Sequence, residues 1–191
     1  MRKIRKSLLI TLLTLSLAIP MKGFATTWDI NQFSGNDNSL IGRTTAFVAN
    51  DTLNFSNSMT ATSNINSLGS FVLNFSGNNY VLNGNNSYSG FRMYSGSTYN
   101  LNNLSMKNFT TSNSGGAFNN SGVLNVSGSH FISNTVIGGS GNFYDDVYGG
   151  AISMFDSGTI SNSTFTSNTA IGYSGSERSN VYGGAIYMPD S

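Results

Sequence analysis

Residues able to do acid–base or nucleophilic chemistry are few in this chain. Its eight acids are Asp29, Asp37, Asp51, Asp145, Asp146, Asp156, Glu177 and Asp190, and its one histidine is His130. Hydrolysis at a sugar needs two carboxyl groups about 5–10 Å apart, one held protonated. Asp145 and Asp146 are neighbours in a glycine-rich stretch, and Asp156 follows ten residues after Asp146. A lyase would add a basic residue beside a cation cluster, yet none of Arg92, Lys107 or Arg178 is near these acids in the chain. A Ser-His-Asp triad would rest wholly on His130, which adjoins Phe131 and should face away from it on an alternating strand. No phosphate-binding loop, dinucleotide fingerprint or metal-ligand spacing occurs. No catalytic residue, cofactor or metal is therefore expected.

The residue types favour binding instead. Residues 138–148 (GGSGNFYDDVY) and 172–182 (GYSGSERSNVY) gather Phe143, Tyr144, Asp145, Asp146, Tyr148, Tyr173, Glu177, Arg178 and Tyr182. Aromatic and charged side chains on loops carried by a rigid scaffold are the usual make-up of a binding face. The competing reading is a tolerated insertion with no role of its own.

Charge and composition narrow the setting. Five of nine basic residues (Arg2, Lys3, Arg5, Lys6, Lys22) lie in the first 25 positions. Arg43, Arg92, Lys107 and Arg178 remain against eight acids, so the rest of the chain carries 4 − 8 = −4. That excludes the clustered basic face that nucleic acid requires. With no cysteine, disulfides and thiolate metal sites are excluded as well. The basic start leads into an uncharged aliphatic run from Leu8 to Ile19, then Pro20 and Gly23-Phe24-Ala25. This is the pattern of a cleavable signal peptide, cut between Ala25 and Thr26, with a core too short to span a membrane. No second hydrophobic span follows.

The elements that must position the loops are read from a repeat. Residues 127–154 and 161–188 align without a gap at an offset of 34, matching Phe131 with Phe165, Asn134 with Asn168, and Gly149-Gly150-Ala151-Ile152 with Gly183-Gly184-Ala185-Ile186. Upstream, Gly115-Gly116-Ala117 lies 34 before Gly149, but Phe109 lies only 22 before Phe131. These spacings predict a basic turn of about 22 residues, with a 12-residue insertion in the later copies. Stacked turns would place Leu82, Leu104, Val126 and Ile160 in one inward ladder, and Phe109, Phe131 and Phe165 in another. Between positions 31 and 180 there are 27 asparagines, too many for core positions. They suit left-handed corners and amide ladders between turns, with Asn134 and Asn168 as the leading pair. The fold class predicted is all-β, a right-handed single-stranded parallel β-helix.

FISN (131–134), FTSN (165–168) and the two GGAI tetrapeptides resemble the FxxN and GGA(I/L/V) repeats of chlamydial-type polymorphic outer-membrane proteins and related autotransporter passengers. The resemblance implies a secreted β-helix displayed at the bacterial surface, whose motif-bearing segments serve adhesion. It makes Phe131, Asn134, Gly149, Gly150, Ala151, Ile152, Phe165, Asn168, Gly183, Gly184, Ala185 and Ile186 candidate binding residues, and it implies a C-terminal β-barrel anchor beyond this chain. The first copy departs from the pattern, reading Phe109-Thr110-Thr111-Ser112, with Phe118 after Ala117.

The expected organisation is a signal peptide over 1–25, an irregular N-terminal cap over 26–52 in which Trp28 and Phe33 cover the first turn, and a parallel β-helix over 53–191, truncated at its C-terminus. The expected function is that of a surface-displayed or secreted adhesin-like passenger fragment at the cell surface, outer membrane or outside the cell. Its partner would be a host-cell or matrix surface receptor or glycan. The alternatives are a carbohydrate-active β-helix enzyme of lyase or hydrolase type, and a non-functional truncated remnant.

Overall fold

The computed structural model describes residues 25–30, 48–65, 68, 70–112, 114–139, 146–173 and 179–189. Residues 1–24 of the leader expected over 1–25, and Phe33, lie outside the described residues. Among the described residues there are strands and turns but no helix, and every strand pairing is parallel. The chain is all-β.

Five sheets share the strands. A six-stranded sheet holds Thr27–Ile30, Asp51–Phe55, Val72–Ser76, Thr98–Asn102, Val123–Ser127 and Gly158–Ser161. A five-stranded sheet holds Met59–Thr60, Val81–Asn83, Ser105–Lys107, His130–Ile132 and Thr164–Thr166. A four-stranded sheet holds Phe91–Met93, Phe118–Asn120, Ile152–Met154 and Ile186–Tyr187. Three strands (Thr110–Thr111, Thr135–Ile137, Thr169–Ile171) and two strands (Val147–Tyr148, Val181–Tyr182) make the others. From Val72 onward the chain visits them in one repeating order: six-stranded, five-stranded, the two smaller sheets where present, four-stranded, then six-stranded one rung on.

The rungs are not evenly spaced in sequence. Successive strands of the six-stranded sheet pair Thr27 with Thr52, Asp51 with Leu73, Leu73 with Tyr99, Tyr99 with Leu124, and Val126 with Ile160. The steps are 25, 22, 26, 25 and 34 residues. The 34-residue step matches the sequence alignment, because Phe131 pairs Phe165 and Ile152 pairs Ile186. The uniform 22-residue ladder does not hold. Val126 pairs Leu101, whereas Leu82 pairs Met106 in a different sheet. Leu104 sits between sheets, beneath Ser129, whose Oγ accepts the Leu104 N–H at 3.2 Å. Phe131 pairs Met106 rather than Phe109. Phe109 lies beneath Asn134, so the insertion is nine residues: Thr111 to Ser114 spans three, and the paired Val136 to Tyr148 spans twelve. Nor is the lead-in irregular throughout, since Thr27–Ile30 is already the first rung.

Inward positions fill a continuous apolar interior. Phe55, Phe75, Phe91, Tyr99, Phe118 and Phe131 are all at most 1% exposed. Their rings run as a chain: Phe75 lies 5.3 Å from Phe91, Phe91 stacks on Phe118 at 5.0 Å, and Phe131 stacks on Phe165 at 4.9 Å. Burying each such ring contributes roughly 1.5–3 kcal/mol. This is what stands in for the missing disulfides. At the corners, ten non-glycine residues among those described have positive φ, and eight of these are asparagine. Asparagine tolerates that backbone with least strain.

Candidate functional site

The insertions leave the scaffold at one corner, and their bases are stacked. Thr135–Ile137 pairs with Thr169–Ile171 before each insertion, and Val147–Tyr148 with Val181–Tyr182 after it. Gly138 N–H donates to the Ile171 carbonyl at 2.7 Å. Asp146 then clips one base to the other. Its Oδ1 accepts the Asn180 N–H at 2.8 Å and its Oδ2 accepts the Tyr148 hydroxyl at 3.3 Å. The candidates Phe143, Tyr144, Asp145, Glu177 and Arg178 lie outside the described residues.

Tyr148 and Tyr182 form a ladder with centroids 5.1 Å apart and ring planes 5° off parallel. Tyr187 approaches both, at 4.7 and 5.7 Å, and Phe155 meets Tyr148 at 5.3 Å and Tyr187 at 5.6 Å. Four rings therefore converge: Tyr148 and Tyr182 from the two-stranded sheet, Tyr187 from the four-stranded sheet, and Phe155 from just beyond that sheet's Ile152–Met154. Phe155 and Tyr182 are 43% and 39% exposed, so the cluster forms an aromatic surface rather than a core. Tyr173, 36% exposed, stands at the base of the second insertion. Partial burial under these rings, and then the Asp146 carboxylate beside it, raise the pKa of the Tyr148 hydroxyl above the ordinary tyrosine value of 10.0.

One rung below Tyr148, its bridge partner Ser114 lines a cleft of about 330 Å³ shared with Arg92, Asn119, Ser89 and Thr111. Arg92 is exposed, with its guanidinium carbon 5.5 Å from the Tyr94 ring centroid. Cleft and cluster share a column of the four-stranded sheet, because Arg92, Asn119, Ser153 and Tyr187 are successive register partners, Ser153 being fully buried.

Of the repeat-motif candidates, the GGAI segments run directly on from Tyr148 and Tyr182, but as backbone and core of the stack. Phe131, Asn134, Ala151 and Ile152 are 0% exposed, and Gly149 and Gly150 are buried. Phe165, Asn168, Ala185 and Ile186 are half-buried, and Gly183 and Gly184 exposed, on a rung with no described rung above it. Asn134 Nδ2 donates to Asn168 Oδ1 at 2.9 Å and to the Met106 carbonyl at 3.0 Å, while its Oδ1 accepts the Phe109 N–H. These bonds tie rung to rung. The left-handed corner residue is not this asparagine but the serine before it: Ser133 has φ 53° and Ser167 φ 54°.

His130 Nδ1 sits 2.7 Å from Thr164 Oγ1 on the outward face, and no group of three metal-ligating side chains occurs among the described residues. The sequence reading missed Phe155, Tyr187, Arg92 and Asn119. Strand alternation after each GGA motif would have turned all but Arg92 outward, since each follows an inward Ile or Phe by an odd number of positions. No protein-family model, no curated protein and no solved structure matches the chain.

Proposed function

We propose that this chain is an exported, adhesin-like passenger, its sheets closing into a right-handed parallel β-helix that holds a binding face at the insertion corner. The handedness follows the strong right-handed preference of parallel crossovers. The observation that carries the reading is the exposed convergence of Tyr148, Tyr182, Tyr187 and Phe155 at the stacked loop bases. Rings held rigidly by rungs lose little entropy on binding and offer large contact areas. The adjoining polar cleft, with a guanidinium, serine hydroxyls and the Asn119 amide, suits a glycan-bearing surface partner. Such a partner stacks sugar faces on the rings and directs hydroxyls into the cleft.

The test uses the chain from Thr26 onward, cultured epithelial cells and a printed glycan array. Tyr182→Ala and Tyr187→Ala together should weaken binding at least tenfold with an unchanged far-UV spectrum. Binding of equal strength in the double variant would end the proposal.

A further inference from the structure

We infer that Asp51 is a built receptor for the α-ammonium group of the chain's own amino terminus, generated by cleavage between Ala25 and Thr26; the position of that terminus rests on the export reading above. Asp51 opens the strand Asp51–Phe55, whose inward positions are 51, 53 and 55. Leu53 and Phe55 fill theirs with apolar bulk. Asp51 puts a carboxylate in the same column at 0% exposure. A buried carboxylate persists only when it is hydrogen-bonded and its charge is met.

Two of its partners come from the first rung and the third from the residues just before Asp51. Asp51 Oδ1 accepts the Thr26 N–H at 2.6 Å, and Oδ2 accepts Trp28 Nε1–H at 2.8 Å and the Val48 N–H at 2.9 Å. Register makes the Thr26 contact a fixed one. Thr27 pairs Thr52, so Thr26 stands against Asp51, and the Thr52 N–H bonds the Thr26 carbonyl at 2.8 Å. Ala25, by contrast, is exposed.

As an amide, Thr26 N offers one hydrogen and no net charge. Hydrolysis by a leader peptidase changes that. Water adds to the Ala25 carbonyl carbon, the Ala25–Thr26 C–N bond breaks, Ala25 leaves as a carboxylate bearing the water oxygen, and the Thr26 nitrogen keeps its own hydrogen and takes both water protons to become an ammonium. The same atom in the same place then carries a full positive charge and two more donors. Processing thus completes an ion pair beneath the first rung, which the leader-bearing precursor lacks.

On the strands packed here, Thr27–Ile30, Asp51–Phe55 and Val72–Ser76, the other titratable group is Asp29. It lies on the exposed face, where it accepts Asn54 Nδ2 at 2.7 Å. An ammonium that gains a carboxylate titrates above the ordinary α-amino range of about 7.7–8.0. Its contribution to stability is then fully present below that range and is lost as pH rises through the folded-state value.

Four proteins decide the matter: the chain beginning at Thr26, the chain retaining Ala25, and each with Asp51→Asn. Trp28 is the single tryptophan and donates to Asp51, so its fluorescence reads unfolding at the site. The Thr26 chain should show a folding equilibrium constant at least tenfold larger than the Ala25 chain. Asp51→Asn should abolish that difference, and raising pH from 7 to 10 should lower the Thr26 chain towards the Ala25 chain. Equal midpoints for the two natural chains, or equal Asp51→Asn penalties in both, would overturn the pairing and leave the export reading standing. If Asp51→Asn does not fold, the two natural chains and their pH profiles still decide. The intact mass of protein exported from an expressing bacterium tests the processing separately. A terminus other than Thr26 would overturn both the cleavage assignment and this maturation step.

Discussion

Asparagine does two jobs in this chain, and they separate at the level of the residue. Asn78, Asn79, Asn85, Asn86, Asn103 and Asn108 occupy left-handed corners. Asn74, Asn100 and Asn125 are register partners on the outer face of the six-stranded sheet, joined amide to amide at 2.9 Å and capped by the Thr159 hydroxyl at 3.0 Å. With 27 asparagines spread over the region, nothing in residue type distinguishes the two uses, so this outer ladder was illegible in the sequence. The Asn134–Asn168 ladder was legible because both sit three places after a repeated phenylalanine. Tyr148 allows a prediction at the same scale. Its folded pKa is raised by burial and then by Asp146, so the neutral phenol is favoured in the native state. Any stability linked to it is complete below the unfolded value near 10 and falls as pH climbs through the higher folded value. In a spectroscopic titration of tyrosinate, Asp146→Asn should shift one tyrosine's ionisation to lower pH. An unchanged curve would show that the carboxylate does not act on Tyr148.

At the level of the element, the GGAI motif is explained by how closely rungs approach. A Cβ on Gly150 would overlap the Gly184 carbonyl and come within 2.6 Å of the Thr169 backbone, whereas one on Gly184 would meet nothing within 4 Å. The same motif position is therefore demanding under a rung and permissive without one. Gly150→Ala should cost more than about 2 kcal/mol in a urea denaturation series, since backbone atoms must move. Gly184→Ala should stay within about 0.5 kcal/mol. Comparable losses would mean that the glycine serves the local turn rather than the stack. The same closeness explains why the 34-residue offset could be read and the 22-residue period could not. Copies of equal length align by identity. Earlier turns range from 22 to 26 residues and interchange Met106 with Phe131 and Leu101 with Val126 at equivalent inward sites. Matching phenylalanine to phenylalanine therefore chose Phe109, one corner too far along.

Across the whole molecule, the question is whether the insertions belong to the scaffold or ride upon it. The turn that carries Thr110–Thr111 closes this corner in three residues, from Thr111 to Ser114, while the next two turns take twelve. A scaffold of stacked rungs gains most of its stability from neighbour-to-neighbour contacts, and the shorter turn shows that those contacts need no insertion. Removing nine residues from each insertion, 139–147 and 173–181, restores the shorter spacing on both rungs. It deletes the paired strand residues Val147 and Val181 together. Removing one alone leaves the other's strand without its partner and exposes apolar surface, Val147 being 0% exposed. The double deletion should keep its far-UV spectrum and unfold within a few degrees of the parent; it leaves Tyr148, Phe155, Tyr182 and Tyr187 in the chain, so any loss of cell binding assigns contacts to the deleted loop residues in addition to the rings. The single deletion should melt earlier. If the double deletion fails to fold while the parent folds, the insertions are part of the core, and the corner is a structural joint before it is a binding face.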